Sequence, residues 1–154
     1  MFASSLLFSC GDDAASQPAV PELEIGQGEV YFESVTPDQM LPLHAGTQGG
    51  YHIWLSFRAP LEPGLVTMEL DMEPLGPSRV THSYLDIYFA PVPDQPDLAE
   101  YVGWPAQLLD PECAVDEPVH IHARFVDQAG TEVEAEIDLI PTAPATGFST
   151  TCEL

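Results

Sequence analysis

Residues 119–141, VHIHARFVDQAGTEVEAEIDLIP, carry the strongest structural signal in the chain. Apolar and polar side chains alternate on both sides of the sequence DQAGT at 127–131, which is the pattern of a β-hairpin. The central sequence suits a three-residue loop, in which a type I turn is followed by Gly130 in the left-handed conformation. We therefore predict two antiparallel strands joined at this turn.

The turn also predicts the register of the hairpin. Counting outward places the apolar residues opposite one another on one face: Phe125 with Val133, Ala123 with Ala135, Ile121 with Ile137 and Val119 with Leu139. The other face pairs bases with acids: Arg124 with Glu134, His122 with Glu136 and His120 with Asp138. Turn chemistry, face and charge agree on one register, as expected of a real element.

The same two-residue alternation recurs in the segments 28–35, 51–58, 66–73 and 81–89, separated by turns rich in proline and glycine. This pattern predicts an all-β fold, an antiparallel β-sandwich of about seven strands. Residues 94–112 do not alternate, and we expect a short helical or irregular insertion there, with helical turns over 96–102. The architecture resembles the immunoglobulin-like family, with Trp54 in mid-strand but no cysteine before it in the domain; this likeness implies no function.

The charge balance excludes some partners. Twenty-five acidic residues face three arginines and no lysine, which gives a formal net charge of −22. Such a charge repels phosphate backbones and anionic lipids, so we expect neither nucleic-acid binding nor electrostatic membrane binding. Solubility explains an acidic surface, and attraction of cations or basic partners is the functional alternative.

The amino terminus suggests where the protein is located in the cell. Residues 1–9, MFASSLLFS, are apolar and end in a small residue, although they lack the lysine or arginine with which a signal peptide begins. The sequence Leu7-Phe8-Ser9-Cys10 resembles the lipobox of bacterial lipoproteins, in which the cysteine is lipidated and becomes the first residue. The resemblance implies that 1–9 are a signal-peptide remnant, that Cys10 is lipidated, and that the protein is anchored in the cell envelope outside the cytoplasm.

The three cysteines fit that interpretation. If Cys10 carries lipid, Cys113 and Cys152 remain as one pair, and an oxidising compartment lets them form a disulfide. Two free buried thiols are the alternative. Residues 11–24 are polar, small and proline-containing, so we interpret 10–24 as the lipidated cysteine with its flexible tether, and 25–154 as the β-sandwich domain.

The best metal candidate is the polar face of the hairpin. His120 and His122 share it with Glu136 and Asp138, and Zn²⁺ or Cu²⁺ accepts such ligands. The hypothesis predicts stoichiometric binding with a sub-micromolar Kd that the His120→Ala/His122→Ala double substitution abolishes. Ordinary cross-strand pairing on a wet face is the alternative, and we expect no cofactor otherwise.

Two other features of the sequence bear on function. His44 and His52 flank the glycine-containing loop 45–50, which is interpreted as a loop leading into a strand or, with Trp54, as a ligand-facing rim. No motif of a nucleophile, a metalloprotease, a phosphate cradle or a calcium loop occurs in the sequence. We therefore predict a non-enzymatic envelope lipoprotein, a binding or structural module for a protein or glycan. The alternatives are metal binding through His120 and His122 and a carbohydrate-binding or carbohydrate-active sandwich.

Overall fold

The computed structural model describes residues 22–47, 49–144 and 147–153, of which 60% lie in strands and 3% in helix. The elements follow the order β1 (Glu24–Gln27), β2 (Glu33–Ser34), β3 (Gln39–Pro42), β4 (His44–Ala45), β5 (Tyr51–Ala59), β6 (Gly64–Pro74), β7 (Thr81–Val92), β8 (Gln95–Leu108), α1 (Pro111–Ala114), β9 (Val119–Asp127) and β10 (Glu132–Thr142). The all-β class is confirmed. Cys10 and the segment 1–9 lie outside the described residues.

The strands form one curled sheet, a half-barrel, with the order β2-β1-β5-β8-β7-β6-β9-β10-β3, and β4 pairs with β5. The pairings are antiparallel except for β3, which runs parallel to β10. Strand β7 belongs to both halves, because its residues 81–89 pair with β6 and its residues 90–92 pair with β8. This single path does not confirm the immunoglobulin-like sandwich of about seven strands.

The core fills the concave side of the curled sheet. Phe57 of β5 and Phe125 of β9 meet with ring centroids 4.9 Å apart, and Phe89 of β7 lies 5.2 Å from Phe125. All three rings are fully buried, together with the inward residues of β6. Burial of apolar area on this scale is the main force that holds the two halves of the sheet against each other.

The hairpin prediction is confirmed residue by residue. Strand β9 pairs with β10 in the expected register, with Phe125 opposite Val133 and His120 opposite Asp138. Asp127 and Thr131 close the loop through a backbone hydrogen bond of 3.0 Å, and Gly130 has a φ of +84°. The short turn therefore sets the pairing of both strands.

The expectation of a helical or irregular insertion over 94–112 is wrong. Residues 95–108 form β8, the longest strand of the described residues, and helix is confined there to the single turn α1. A β-bulge explains the missing alternation. Ala99 is buried on the amino-terminal side of the bulge and Ala106 and Leu108 on the other, so the buried positions change from odd to even numbers.

The first strand of the described structure lies at the end of the segment interpreted as a tether. Leu23 is buried and Glu24 is the first residue of β1. The predicted strand over 28–35 shrinks to β2, and Val30 is 80% exposed. The reason is a reversal at Gly28, whose φ of +123° turns the chain so that β2 pairs back onto β1.

Candidate functional site

An open concave surface lies on the outer side of β5 and β8. Because Ile53 and Leu55 point into the core, the alternation of β5 directs His52 and Trp54 outward. Their cross-strand neighbours on β8 are Gln107 and Pro105, respectively. These four side chains form the floor of an open groove of about 650 Å³, which we call the Trp54 groove. It is lined by Glu29, Ala45, Gly46, Thr47, Gly49, Gly50, Tyr51, His52, Trp54, Pro105 and Gln107.

One wall of the Trp54 groove is the segment that leads from β1 to β2. Ser56, fully buried on the outer side of β5, donates a hydrogen bond of 3.0 Å to the Gly28 carbonyl and accepts one of 3.3 Å from the Gly103 N–H. Gly103 has a φ of +80°, and a Cβ atom there would lie 2.5 Å from the Glu29 carbonyl oxygen. Ser56 and Gly103 therefore let Glu29 lie close against β8.

The other wall is the glycine loop between β4 and β5. The Gly46 N–H donates to the Gly50 carbonyl at 3.0 Å, and the Gly49 N–H donates to the Gly46 carbonyl at 3.1 Å. Gly49 and Gly50 have φ values of +87° and +82°, which side chains rarely tolerate. A Cβ atom on Gly50 would also lie 2.8 Å from the Gln107 amide nitrogen. Glycine at position 50 thus allows the loop to close against β8.

The floor is aromatic and includes an unsatisfied polar atom. The His52 ring meets Trp54 edge to face at 4.4 Å, and His44 lies 6.0 Å from His52. His52 is only 9% exposed, and its Nε2 has no hydrogen-bond partner among the described residues. Burial, and then the neighbouring His44, lower the pKa of His52, so its imidazole stays neutral at pH 7. A buried polar atom without a partner is uncommon in folded proteins.

Two further depressions adjoin the Trp54 groove. The larger, of about 490 Å³, shares Tyr51 with it, and we call it the Phe148 compartment; its other lining residues are Glu112, Phe148, Ser149, Thr151 and Glu153. The smaller, of about 160 Å³, shares Glu29 and Trp54. Phe148 packs edge to face on Tyr51 at 4.8 Å. Tyr51 alternates with the inward residues Ile53 and Leu55, so this aromatic pair packs against the core rather than beside Trp54.

The predicted disulfide holds that segment in place. Cys113, in α1, is bonded to Cys152, with their Cα atoms 4.7 Å apart, which confirms the expected pairing. The bond fastens residues 147–153 to the body of the fold although they belong to no strand. One wall of the Phe148 compartment thus depends on a covalent link rather than on sheet hydrogen bonds.

The predicted metal-ligand residues lie on the opposite half of the sheet. His120 Nδ1 is 2.7 Å from an Asp138 oxygen, and its Nε2 is 3.6 Å from Glu136. His122 instead faces Glu134, at 3.7 Å. The structure thus groups His120 with both predicted carboxylates, whereas His122 contacts a different one. We call this outer surface of β6, β9 and β10, with the adjoining His82 of β7, the charged face.

A different trio on the charged face brings its donor atoms closest together. Within the described part of the chain, Glu69, Asp71 and His82 form the one group of three such side chains whose donor atoms lie within 4.8 Å of one another. His82 Nδ1 is 2.6 Å from an Asp71 oxygen, and this hydrogen bond raises the pKa of His82. The pairing of β6 with β7 creates the contact, so it was not visible in the alternation of either strand. These side chains lie on an open surface and form a solvated ion-pair network.

The two buried carboxylates have structural partners. Asp110 receives a bidentate hydrogen bond from the Arg79 side chain, which lowers the pKa of Asp110 to about 2. Burial raises the pKa of Asp127, but hydrogen bonds from the N–H groups of Thr131 and Glu62 outweigh it, so the net pKa is lowered. Both carboxylates are therefore ionised at neutral pH and hold loops in place.

No protein-family model, no curated protein and no solved structure matches the chain. Within the described ranges, no helix is both long enough and apolar enough to cross a membrane.

Proposed function

We propose that this chain is a non-enzymatic binding module of the cell envelope, anchored by lipid at Cys10, and that it binds its ligand in the Trp54 groove. The observation that carries the proposal is the aromatic floor of that groove with its buried, unpaired His52 nitrogen. Binding sites combine apolar and aromatic surface with a few placed polar groups, in volumes of roughly 300 to 1,000 Å³. The Trp54 groove fits this description in both composition and size.

The location rests on the amino terminus and on the cysteines. The lipobox-like sequence ends at Cys10, and a tether-like segment separates it from the first strand. The disulfide between Cys113 and Cys152 is weakly consistent with an extracytoplasmic site, where such bonds persist.

We further propose that the facing halves of the curled sheet are a variant of the immunoglobulin-like sandwich. Superposition of experimental coordinates on such domains tests this.

The anchor is tested in bacterial cells that express the full chain. The wild-type protein is expected in the detergent phase after phase partitioning, and globomycin is expected to block its processing. The Cys10→Ala variant is expected in the aqueous phase. A Cys152→Ala variant is a matched control, because it also removes one cysteine but leaves the lipidation site. Membrane attachment that survives in the Cys10→Ala variant would contradict the anchor.

The groove is tested by isothermal titration calorimetry on the full chain in non-ionic detergent. Two probes represent the two ligand classes: a neutral tetrasaccharide of N-acetylglucosamine and a twelve-residue peptide containing six lysines. We expect one of them to bind saturably, and Trp54→Ala to weaken it by roughly tenfold or more, as at an interface anchor. Tyr88→Ala removes an exposed aromatic residue of β7 instead and is expected to leave the Kd unchanged. Failure of both probes, or equal loss in both variants, would refute the groove as the ligand site.

A further inference from the structure

We infer that His44 and His52 together bind one divalent metal ion of the class that prefers imidazole ligands, and that Cu²⁺ binds there most tightly. The two residues lie directly opposite each other on β4 and β5, beside Trp54, and their ring centroids are 6.0 Å apart. The inference goes beyond the proposed binding of a protein or glycan. It requires neither that ligand nor the lipid anchor, because its test uses the metal ion alone.

The five histidines of the chain fall into two groups. His82, His120 and His122 lie on the charged face, where ring nitrogens are 2.6, 2.7 and 3.7 Å, respectively, from a carboxylate oxygen. Neither His44 nor His52 has an ion pair or a side-chain hydrogen bond within the described structure. In a chain with 25 acidic residues, the two histidines that contact no carboxylate are therefore the two that face each other.

The hairpin of β4 and β5 places both imidazoles on the same outer face. The Gly46 N–H donates to the Gly50 carbonyl at 3.0 Å, so the glycine loop closes tightly and sets the pairing of His44 with His52. A metal ion lies about 2 Å from each imidazole nitrogen that it binds, which places the centroids of two rings that share it roughly 5 to 6 Å apart. The observed separation is in this range, and the exposed His44 ring can rotate to share an ion with His52.

The burial of His52 is a second, independent observation. His52 is 9% exposed and lines the Trp54 groove, and its Nε2 has no hydrogen-bond partner among the described residues. The other four histidines are half-buried or exposed. Burial costs an imidazole nitrogen its hydrogen bond to water, and coordination of a metal ion compensates for that loss.

The surroundings of the pair suit a metal ion of this class. The Trp54 ring lies 4.4 Å from that of His52 and 6.3 Å from that of His44, and it forms an apolar wall. Among the described residues that line the Trp54 groove and its 160 Å³ neighbour, none is basic apart from these histidines, and Glu29 is the one carboxylate. Ca²⁺ and Mg²⁺ need several oxygen ligands, whereas imidazole selects ions such as Cu²⁺, Ni²⁺ and Zn²⁺. Two imidazoles near one carboxylate therefore favour the second group.

The site is tested by calorimetric titration with Cu²⁺ alone. All proteins carry Cys10→Ala, which removes the one cysteine outside the disulfide, and the buffer contains excess Ca²⁺ to occupy surface carboxylates. We expect one equivalent of Cu²⁺ to bind, and Zn²⁺ to compete for the same site more weakly. His44→Ala/His52→Ala is expected to weaken Cu²⁺ by about a hundredfold or more. His44→Ala alone, at an exposed position, is expected to weaken it by about tenfold.

His120→Ala/His122→Ala is the matched control, because it removes two histidines of the charged face instead. We expect it to change the Kd for Cu²⁺ by about twofold or less, with circular dichroism spectra unchanged in both double variants. Binding that is lost in the control and kept in His44→Ala/His52→Ala would overturn the inference in favour of the hairpin of β9 and β10. Equal losses in the two double variants, or no saturable binding before substitution, would also overturn it.

The position of the ion is tested by spectroscopy. Trp104→Phe leaves Trp54 as the only tryptophan, and bound Cu²⁺ is expected to quench most of its fluorescence because the ion lies beside that ring. The electron paramagnetic resonance spectrum of the one-to-one complex is expected to show coupling to two imidazole nitrogens, and His44→Ala is expected to reduce this to one. Cu²⁺ that binds without quenching Trp54, or coupling that is unchanged in His44→Ala, would place the ion elsewhere and overturn the inference.

Discussion

The Trp54 groove and the charged face are both outer surfaces of the same curled sheet, yet their polar residues are in opposite situations. On the charged face, His82 and His120 each contact a carboxylate at 2.6 or 2.7 Å and are open to water. In the groove, the buried His52 Nε2 has no hydrogen-bond partner among the described residues, and neither has the side chain of the neighbouring Glu29. The difference arises from what covers each surface. A bare strand face pairs its charges across strands, whereas the loops over the other face bury a polar side chain without supplying a partner for it.

The largest expected effect on stability comes from removing the disulfide, which lies on the groove side of the molecule. Cys113 and Cys152 are separated by 39 residues, and the chain-entropy model gives such a link about 4 kcal/mol. We expect Cys113→Ala/Cys152→Ala to lower the free energy of unfolding by about that amount in urea titrations. Wild-type protein under strong reductant is expected to match the double variant. A loss below about 1 kcal/mol would mean that the carboxyl-terminal segment is held by packing.

A smaller effect is expected from filling the space between β8 and Glu29. Gly103→Ala places a Cβ atom 2.5 Å from the Glu29 carbonyl at a left-handed φ, so we expect a loss of about 3 kcal/mol. Gly130→Ala is the matched control, because its φ of +84° is similar but nothing lies within 4 Å of the added atom. We expect it to cost about 1 kcal/mol. Equal losses in urea titrations would contradict a close approach of Glu29 to β8.

The histidines of the two surfaces are expected to titrate in opposite directions from the ordinary value of 6.5. Asp71 raises the pKa of His82, so the stability that this pair provides is present below pH 6.5 and is lost as pH rises through the higher folded value. Burial lowers the pKa of His52, so its contribution is present above pH 6.5 and is lost as pH falls through the lower folded value.

Nuclear magnetic resonance of the imidazole protons measures both values, with His82→Gln and His52→Gln for assignment. The stability difference between wild type and His82→Gln is expected to shrink from pH 6 to pH 8. The difference for His52→Gln is expected to shrink from pH 7 to pH 5. The same direction of pKa shift at both sites would remove the contrast between the two surfaces.

The smallest effect is expected on the charged face. Glu73→Gln/Glu134→Gln/Glu136→Gln weakens cross-strand contacts to His120 and His122 and also relieves repulsion in a chain of net charge −22. Exposed pairs contribute little, so we expect the free energy of unfolding to stay within about 0.5 kcal/mol of wild type. A larger loss in urea titrations would show that this surface is a structural element.

The parts of the fold that local chemistry determines were predictable, and the others were not. The hairpin of β9 and β10 has its register set by the turn at Gly130, so the sequence pattern was sufficient. Strand β8 was missed because the bulge at Gly103 shifts its alternation by one residue, which makes a strand look irregular. Strand β1 was missed because few apolar residues mark it within a polar segment.

The candidate site could also be predicted only in part from the sequence. Trp54 and the glycine loop were noticed as a potential rim, but the groove also needs Glu29 and the Pro105–Gln107 end of β8. These segments are far apart in sequence, and only the pairing of β5 with β8 and the return at Gly28 bring them together. The disulfide could be predicted by counting the cysteines, because the pairing followed from the number of thiols rather than from their surroundings.

The parallel pairing of β3 with β10 has a consequence for the order of folding. Gln39 meets Leu139, so β3 lacks its partner until the chain has been made about 100 residues further, through β10. Contacts between such distant residues form slowly, because a large loop must close first. A chain that is cut before β10 retains Trp54 but leaves β3 unpaired. Completion of the fold around β3 is therefore coupled to the synthesis of β10, and a product that ends before β10 is expected to be degraded by proteases.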